Sequence, residues 1–85
     1  MRAVLLTQVA LDDLNSFKTG NQKLVFKVLE LISDIQKTPF EGIGKPEPLK
    51  HQYSGCWSRR INDEHRLVYK ITNEVIEVLR CRDHY

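Results

Sequence analysis

Nowhere is this chain apolar for more than four residues in a row, and the longest such run is Ala3 to Leu6. A helix that crosses a bilayer needs about 20 apolar residues, so none is expected. The same run is too short for the apolar core of a secretory signal, and Arg2 alone makes a thin basic flank. Cysteine is scarce: Cys56 and Cys81 match no metal spacing and no disulfide framework, which points to a reducing, cytoplasmic setting. Three prolines and four glycines exclude a collagen-like or low-complexity chain. His-x-x-His, Cys-x-x-Cys and Asp-x-Asp are all absent, so a metal site has no local signal and none is expected. Ser54 and Ser58 lack the flanking glycines of a nucleophile elbow. Charge of one sign is lacking too, because the formal net charge of +2 is too small to mark a nucleic-acid binder by itself.

What remains is an ordinary soluble composition, 41% hydrophobic and 28% charged over 85 residues. That length makes one small domain, residues 1–85, since neither half alone could bury enough surface. The charge is unevenly spread. Residues 1–44 balance five basic against five acidic side chains, whereas residues 45–85 hold eight against six and all three histidines. Five of the six arginines lie between Arg59 and Arg82. Their planar forks can grip phosphate bidentately, which a lysine cannot do; solvated strand faces also favour long charged side chains.

Arg2 to Thr7 reads as a short strand. From Gln8 the period turns helical, with Val9, Leu14 and Phe17 on one stripe and Thr19-Gly20-Asn21 as a stop. Asp12 and Asp13 suit the start of that helix through its dipole. A second helix is predicted from about Asn21 to Lys37, where Leu24, Val25, Val28, Leu29, Ile32 and Ile35 recur at three-and-four spacing. Thr38 to Pro48 holds all three prolines and reads as a loop. Strands follow at Trp57–Asn62, His65–Ile71 and Val75–Arg82, with a short leading strand open at Leu49–His51. The expected architecture is α+β: two N-terminal helices packed on a twisted antiparallel sheet. Trp57 is most simply a core anchor, and both cysteines small core residues.

Three constellations could carry chemistry. In Lys45-Pro46-Glu47-Pro48-Leu49-Lys50, the prolines fix φ at 46 and 48, and Pro48 pushes Glu47 into the extended region. A carboxylate held stiffly between two lysines suits a general base; a rigid surface loop with a solvated glutamate is the plainer reading. Arg59, Arg60 and Arg66 flank the Asn62-Asp63-Glu64 turn. A three-residue loop puts Arg60 opposite Arg66, and a two-residue loop puts Ile61 there. Facing like charges are destabilising unless an anion is shared between them. Finally, Arg82-Asp83-His84-Tyr85 ends the chain on an imidazole and an aromatic ring, a general acid and a stacking platform if they are tied down.

Thr38-Pro39-Phe40-Glu41-Gly42, Gly44 to His51, Gly55 with Trp57-Ser58-Arg59-Arg60-Ile61, Glu64-His65-Arg66-Leu67-Val68-Tyr69, and Cys81-Arg82 with His84-Tyr85 strongly resemble the YoeB-type (Txe) toxins. These belong to the RelE superfamily of bacterial toxin–antitoxin modules, and the resemblance covers essentially the whole chain. Asp83 departs from the pattern, standing where an aromatic residue is expected, and Cys56 replaces a typical phenylalanine. The resemblance implies the RelE-like microbial RNase fold and a ribosome-dependent endoribonuclease that cuts mRNA in the decoding site without a cofactor or metal. It places the general base on Glu47, the phosphate-binding arginine on Arg66, the general acid on His84 and the terminal tyrosine on Tyr85. Lys50, Arg59 and Arg60 match basic positions that could bind RNA backbone. The implied partners are the ribosome with its A-site mRNA and a cognate YefM/Axe-like antitoxin; a homodimer stays open, and no membrane is involved. Two readings without catalysis remain: a module that grips single-stranded nucleic acid or an antitoxin and cuts nothing, and a pure protein-interaction domain.

Overall fold

The computed structural model describes residues 1–82. Strand β1 (Ala3–Leu6) leads at once into helix α1 (Gln8–Gly20), because Thr7 caps it: its hydroxyl accepts from the Ala10 N–H at 3.1 Å and donates to the Leu79 carbonyl at 2.7 Å. Asn21 ends α1 by donating its N–H to the Phe17 carbonyl, and α2 (Gln22–Lys37) starts one residue later. Then come β2 (Glu47–Pro48), a 3₁₀ turn at His51–Tyr53, β3 (Trp57–Arg60), β4 (Arg66–Thr72) and β5 (Val75–Arg80).

The sheet order is β1-β5-β4-β3-β2. Strands β2 to β5 form the expected antiparallel meander, but β1 lies parallel to β5, Ala3 opposite Val75 and Leu6 opposite Val78, so the sheet is mixed. The leading strand expected at Leu49–His51 falls instead on Glu47–Pro48, and His51 begins the 3₁₀ turn with φ of 58°.

Helices cover one face of the sheet. Val28, Leu31, Ile32 and Ile35 of α2 with Ala10 and Phe17 of α1 bury against Leu67, Tyr69, Ile76, Val78 and Cys81. Each aliphatic side chain so buried contributes on the order of 2 kcal/mol. The expected stripes need adjusting at their edges: Val9 and Leu29 are about half exposed, while Ala10 and Leu31 are fully buried. Period-three-and-four spacing gives the direction of an apolar face, but the facing sheet decides which flank of it is covered. Trp57 is half-buried against the core and stacks on Phe40, ring centroids 4.9 Å apart. Both cysteines are buried as free thiols.

Candidate functional site

Side chains alternate across a strand, and the register sorts the basic segment into two groups. Trp57, Arg59, Leu67 and Tyr69 are paired and point toward the helices; Ser58, Arg60, Arg66 and Val68 point away from them. Arg60 stands directly opposite Arg66, the outcome expected of a three-residue loop, and Ile61 N–H still reaches the His65 carbonyl. Each arginine finds a carboxylate of its own. Arg60 bonds Asp63 within the turn, and Arg66 Nη1 lies 3.0 Å from Glu47 Oε1.

Glu47 reaches Arg66 because β2 pairs Glu47 with Ser58, on the same outward face. Its strand has two residues, as the flanking prolines dictate, and its side chain stays 57% exposed. A half-exposed carboxylate on short, stiff backbone beside a guanidinium can take a proton from a ligand that meets both groups. Lys50 is exposed just beyond, before the 3₁₀ turn. Ser58 lies under this face fully buried, and its hydroxyl finds no hydrogen-bond partner among the described residues.

Arg59 does not belong with these cations. The expectation that it contacts an RNA backbone gives way to a fully buried side chain aimed at the helices. Its five N–H groups are all used: Nε donates to Tyr69 Oη, Nη1 to Asp34 Oδ2 and the Ile43 carbonyl, and Nη2 to the Thr38 and Glu41 carbonyls. Tyr69 Oη in turn donates to the Pro39 carbonyl at 2.7 Å, and Asp34 accepts from the Ile43 N–H at 3.0 Å. The hydrogen bond from Arg59 holds the Asp34 carboxyl below its usual range, and burial pushes the Tyr69 hydroxyl up. Glycine is required where the loop presses on this pair. A Cβ at Gly42 (φ 126°) would fall on the Asp34 carboxylate, and one at Gly44 (φ 80°) would sit 2.9 Å from a Leu31 methyl.

Asp13 also has a tertiary role, where the sequence suggested only a helix start. It lies mid-helix in α1, and Oδ2 accepts from the Cys81 N–H at 2.9 Å, tying down the end of the strand that leads toward the C-terminus. Cys81 is fully buried, and burial first, then the Asp13 carboxylate, pushes its thiol up to about 12. The expected acid His84 and the expected platform Tyr85 lie outside the described residues, as does Asp83. Among the described residues no group of three or more His, Cys, Asp or Glu could hold a metal ion.

Asp34 and Tyr69 were not singled out from the sequence. The signal for Arg59 was present, since it shares Trp57's parity in β3, the parity of the core face. Nothing local marks Asp34, whose partner lies 25 residues away.

Residues 6–85 match the family described as YoeB-like toxin of bacterial type II toxin–antitoxin system. The chain is 53% identical over 74 residues to Toxin YoeB of Escherichia coli K12, covering 87% of this chain and 88% of that one. Its fold superposes on the YoeB/ParE toxin from Agrobacterium tumefaciens with a TM-score of 0.95 at 41% identity, over 98% of this chain and 99% of that one. A chain in the YoeB–YefM complex from Staphylococcus aureus gives a TM-score of 0.89 at 41% identity, over 100% and 99% of the two chains.

Proposed function

Because the chain belongs to the YoeB-like toxins of bacterial type II toxin–antitoxin systems, we propose that it is a ribosome-dependent, metal-independent mRNA endoribonuclease of the bacterial cytoplasm. The observation that carries this reading is Glu47 Oε1 held 3.0 Å from Arg66 Nη1 on the helix-free face of the sheet. In free protein the guanidinium sits on the carboxylate. A scissile phosphate that takes over the guanidinium leaves the carboxylate beside the adjoining 2′-hydroxyl.

Glu47 accepts the 2′-hydroxyl proton as the 2′-oxygen attacks phosphorus. Arg66 offsets the charge that builds on the phosphorane oxygens. His84 donates a proton to the 5′-oxygen as the P–O5′ bond breaks, and Tyr85 stacks on a base. The products are a 2′,3′-cyclic phosphate and a 5′-hydroxyl, and every proton is accounted for without a metal. General acid–base groups contribute roughly 10²–10⁴-fold each; alignment of the mRNA by the ribosome supplies much of the remainder. Lys50 and Arg60 contact the RNA backbone. A YefM/Axe-like antitoxin silences the toxin by covering the Arg60–Arg66 face, in keeping with the likeness to a chain solved with YefM.

The test is to express the chain in a translating extract and map new mRNA ends. Wild type should create ends that Glu47→Gln and His84→Gln do not. If both variants keep the full effect on translation, the protein is a binding module and the reading is wrong.

A further inference from the structure

We propose that Arg59 is a positioning residue for cleavage, acting from inside the fold through the 38–44 loop that delivers Glu47. The inference rests on Glu47 being the base. Strand β2 has two residues and one neighbouring strand, so its own ladder cannot fix the Glu47 carboxylate closely. The loop before it has no helix or strand of its own, yet its carbonyls at Thr38, Pro39, Glu41 and Ile43 all converge on one buried cluster. Arg59 takes three of these carbonyls directly, and Tyr69, bonded to Arg59 Nε, takes the fourth.

Two further contacts carry the restraint forward. A Cβ at Gly44 would crowd Arg59 Cβ at 3.2 Å, so the bare glycine is what fits beside Arg59, and its carbonyl accepts from the Arg60 N–H at 2.6 Å. Glu47 follows three residues later, across a Lys45 held at φ 51° and a proline that fixes φ at position 46. From Thr38 to Glu47 the backbone therefore has few free torsions, and Arg59 is the group that joins most of its anchors. Adjacent residues of β3 thus serve opposite faces: Arg60 presents charge outward, and Arg59 sets the carboxylate's place from within.

The experiment is single-turnover cleavage on programmed ribosomes, with thermal unfolding of each protein as a control. Arg59→Lys keeps the charge but can serve few of the five acceptors. Gly42→Ala leaves Arg59 unchanged and forces the exposed loop off the Asp34–Arg59 pair, so it keeps the core if the lysine variant does not fold. Both should lower the maximal rate about 10²-fold, the scale of a misplacement near 1 Å, while half-saturation by toxin and its salt dependence stay unchanged. Added to Glu47→Asp, which keeps a shortened base and a measurable residual rate, neither should cause the full further loss, because both act through the same carboxylate. A merely structural role would instead multiply the two losses, and this outcome overturns the inference. So does a folded Gly42→Ala protein that cuts at the wild-type rate, or a weakened, salt-sensitive half-saturation, which would make Arg59 an RNA contact. An active Glu47→Gln protein sinks the base assignment together with this inference; an inactive one beside a wild-type-like Gly42→Ala sinks this inference alone.

Discussion

Arg66 and Arg59 are one strand apart, have the same side chain, and differ in almost every physical respect. Arg66 is partly exposed and pairs with an exposed carboxylate, a bond that contributes between about 0 and 1 kcal/mol. Arg66→Ala should therefore leave the melting temperature nearly unchanged and lower cleavage on programmed ribosomes by about 10²–10³-fold, the usual loss of one charge-stabilising group. Arg59→Ala should do the reverse of the first: it strips Asp34 and three loop carbonyls of their donor, and chemical denaturation should read a loss of about 3–5 kcal/mol. Asp34 adds a pH dependence. Its folded carboxyl titrates below the ordinary 3.8, through the hydrogen bond from Arg59. Its contribution to stability is thus present above that ordinary value and is lost as pH falls through the folded one. Denaturation midpoints measured at descending pH should show an acid loss in wild type that Asp34→Asn lacks, from a lower starting stability. Cys81 offers a simpler check. With its thiol pushed up to about 12, it should resist alkylation in native protein at neutral pH and react once the chain is unfolded.

Helix α1 does three jobs at the scale of an element. Its N-cap Thr7 bonds the Leu79 carbonyl of β5, its Ala10 and Phe17 enter the core, and its Asp13 holds the Cys81 N–H. The bonds from Thr7 and Asp13 both fall at the end of β5, just before the segment that carries His84 and Tyr85. Thr7→Ala removes the cap and should cost about 0.5–2 kcal/mol by denaturation. Asp13→Asn keeps an acceptor of similar shape and should be milder than Asp13→Ala, which leaves the buried Cys81 amide without a partner. Under the proposed mechanism Asp13→Ala should also slow cleavage, because the acid is delivered from the untethered end; the single-turnover rate reads it. The pairing of β1 with β5 is the element-scale feature that local pattern could not supply. The short apolar run Ala3–Leu6 signals a strand, yet parallel or antiparallel placement depends on where the chain returns some 70 residues later.

On the scale of the whole molecule, one sheet separates two environments: an apolar layer under the helices, and an outward face where Glu47, Arg60 and Arg66 meet. Among the described residues the core cluster ends at Cys81, and Arg82 is exposed. Under the proposed mechanism, removing residues 84 and 85 should abolish cleavage with little change in melting temperature, and a truncated protein that still cuts would remove both from the mechanism. Protein stripped of transition metals should cut intact ribosomal complexes as fast as untreated protein, with no gain from added Zn²⁺, Mn²⁺ or Ni²⁺. Some of this was written in the sequence alone. Hydrophobic spacing marked both helices and the three long strands, because periodicity is a local property of the chain. The two prolines around Glu47 set its extended backbone for the same reason, and the Asn62-Asp63-Glu64 turn allowed Arg60 to face Arg66. The family was legible too, from motifs spread along the whole length. Only the tertiary structure decided that Asp34 is the carboxylate that meets Arg59, that Asp13 caps the end of β5 rather than a helix, and that β1 joins in parallel. Each of those depends on a partner distant in sequence, and a buried charge can be told from an exposed one only when the group that satisfies it is in place.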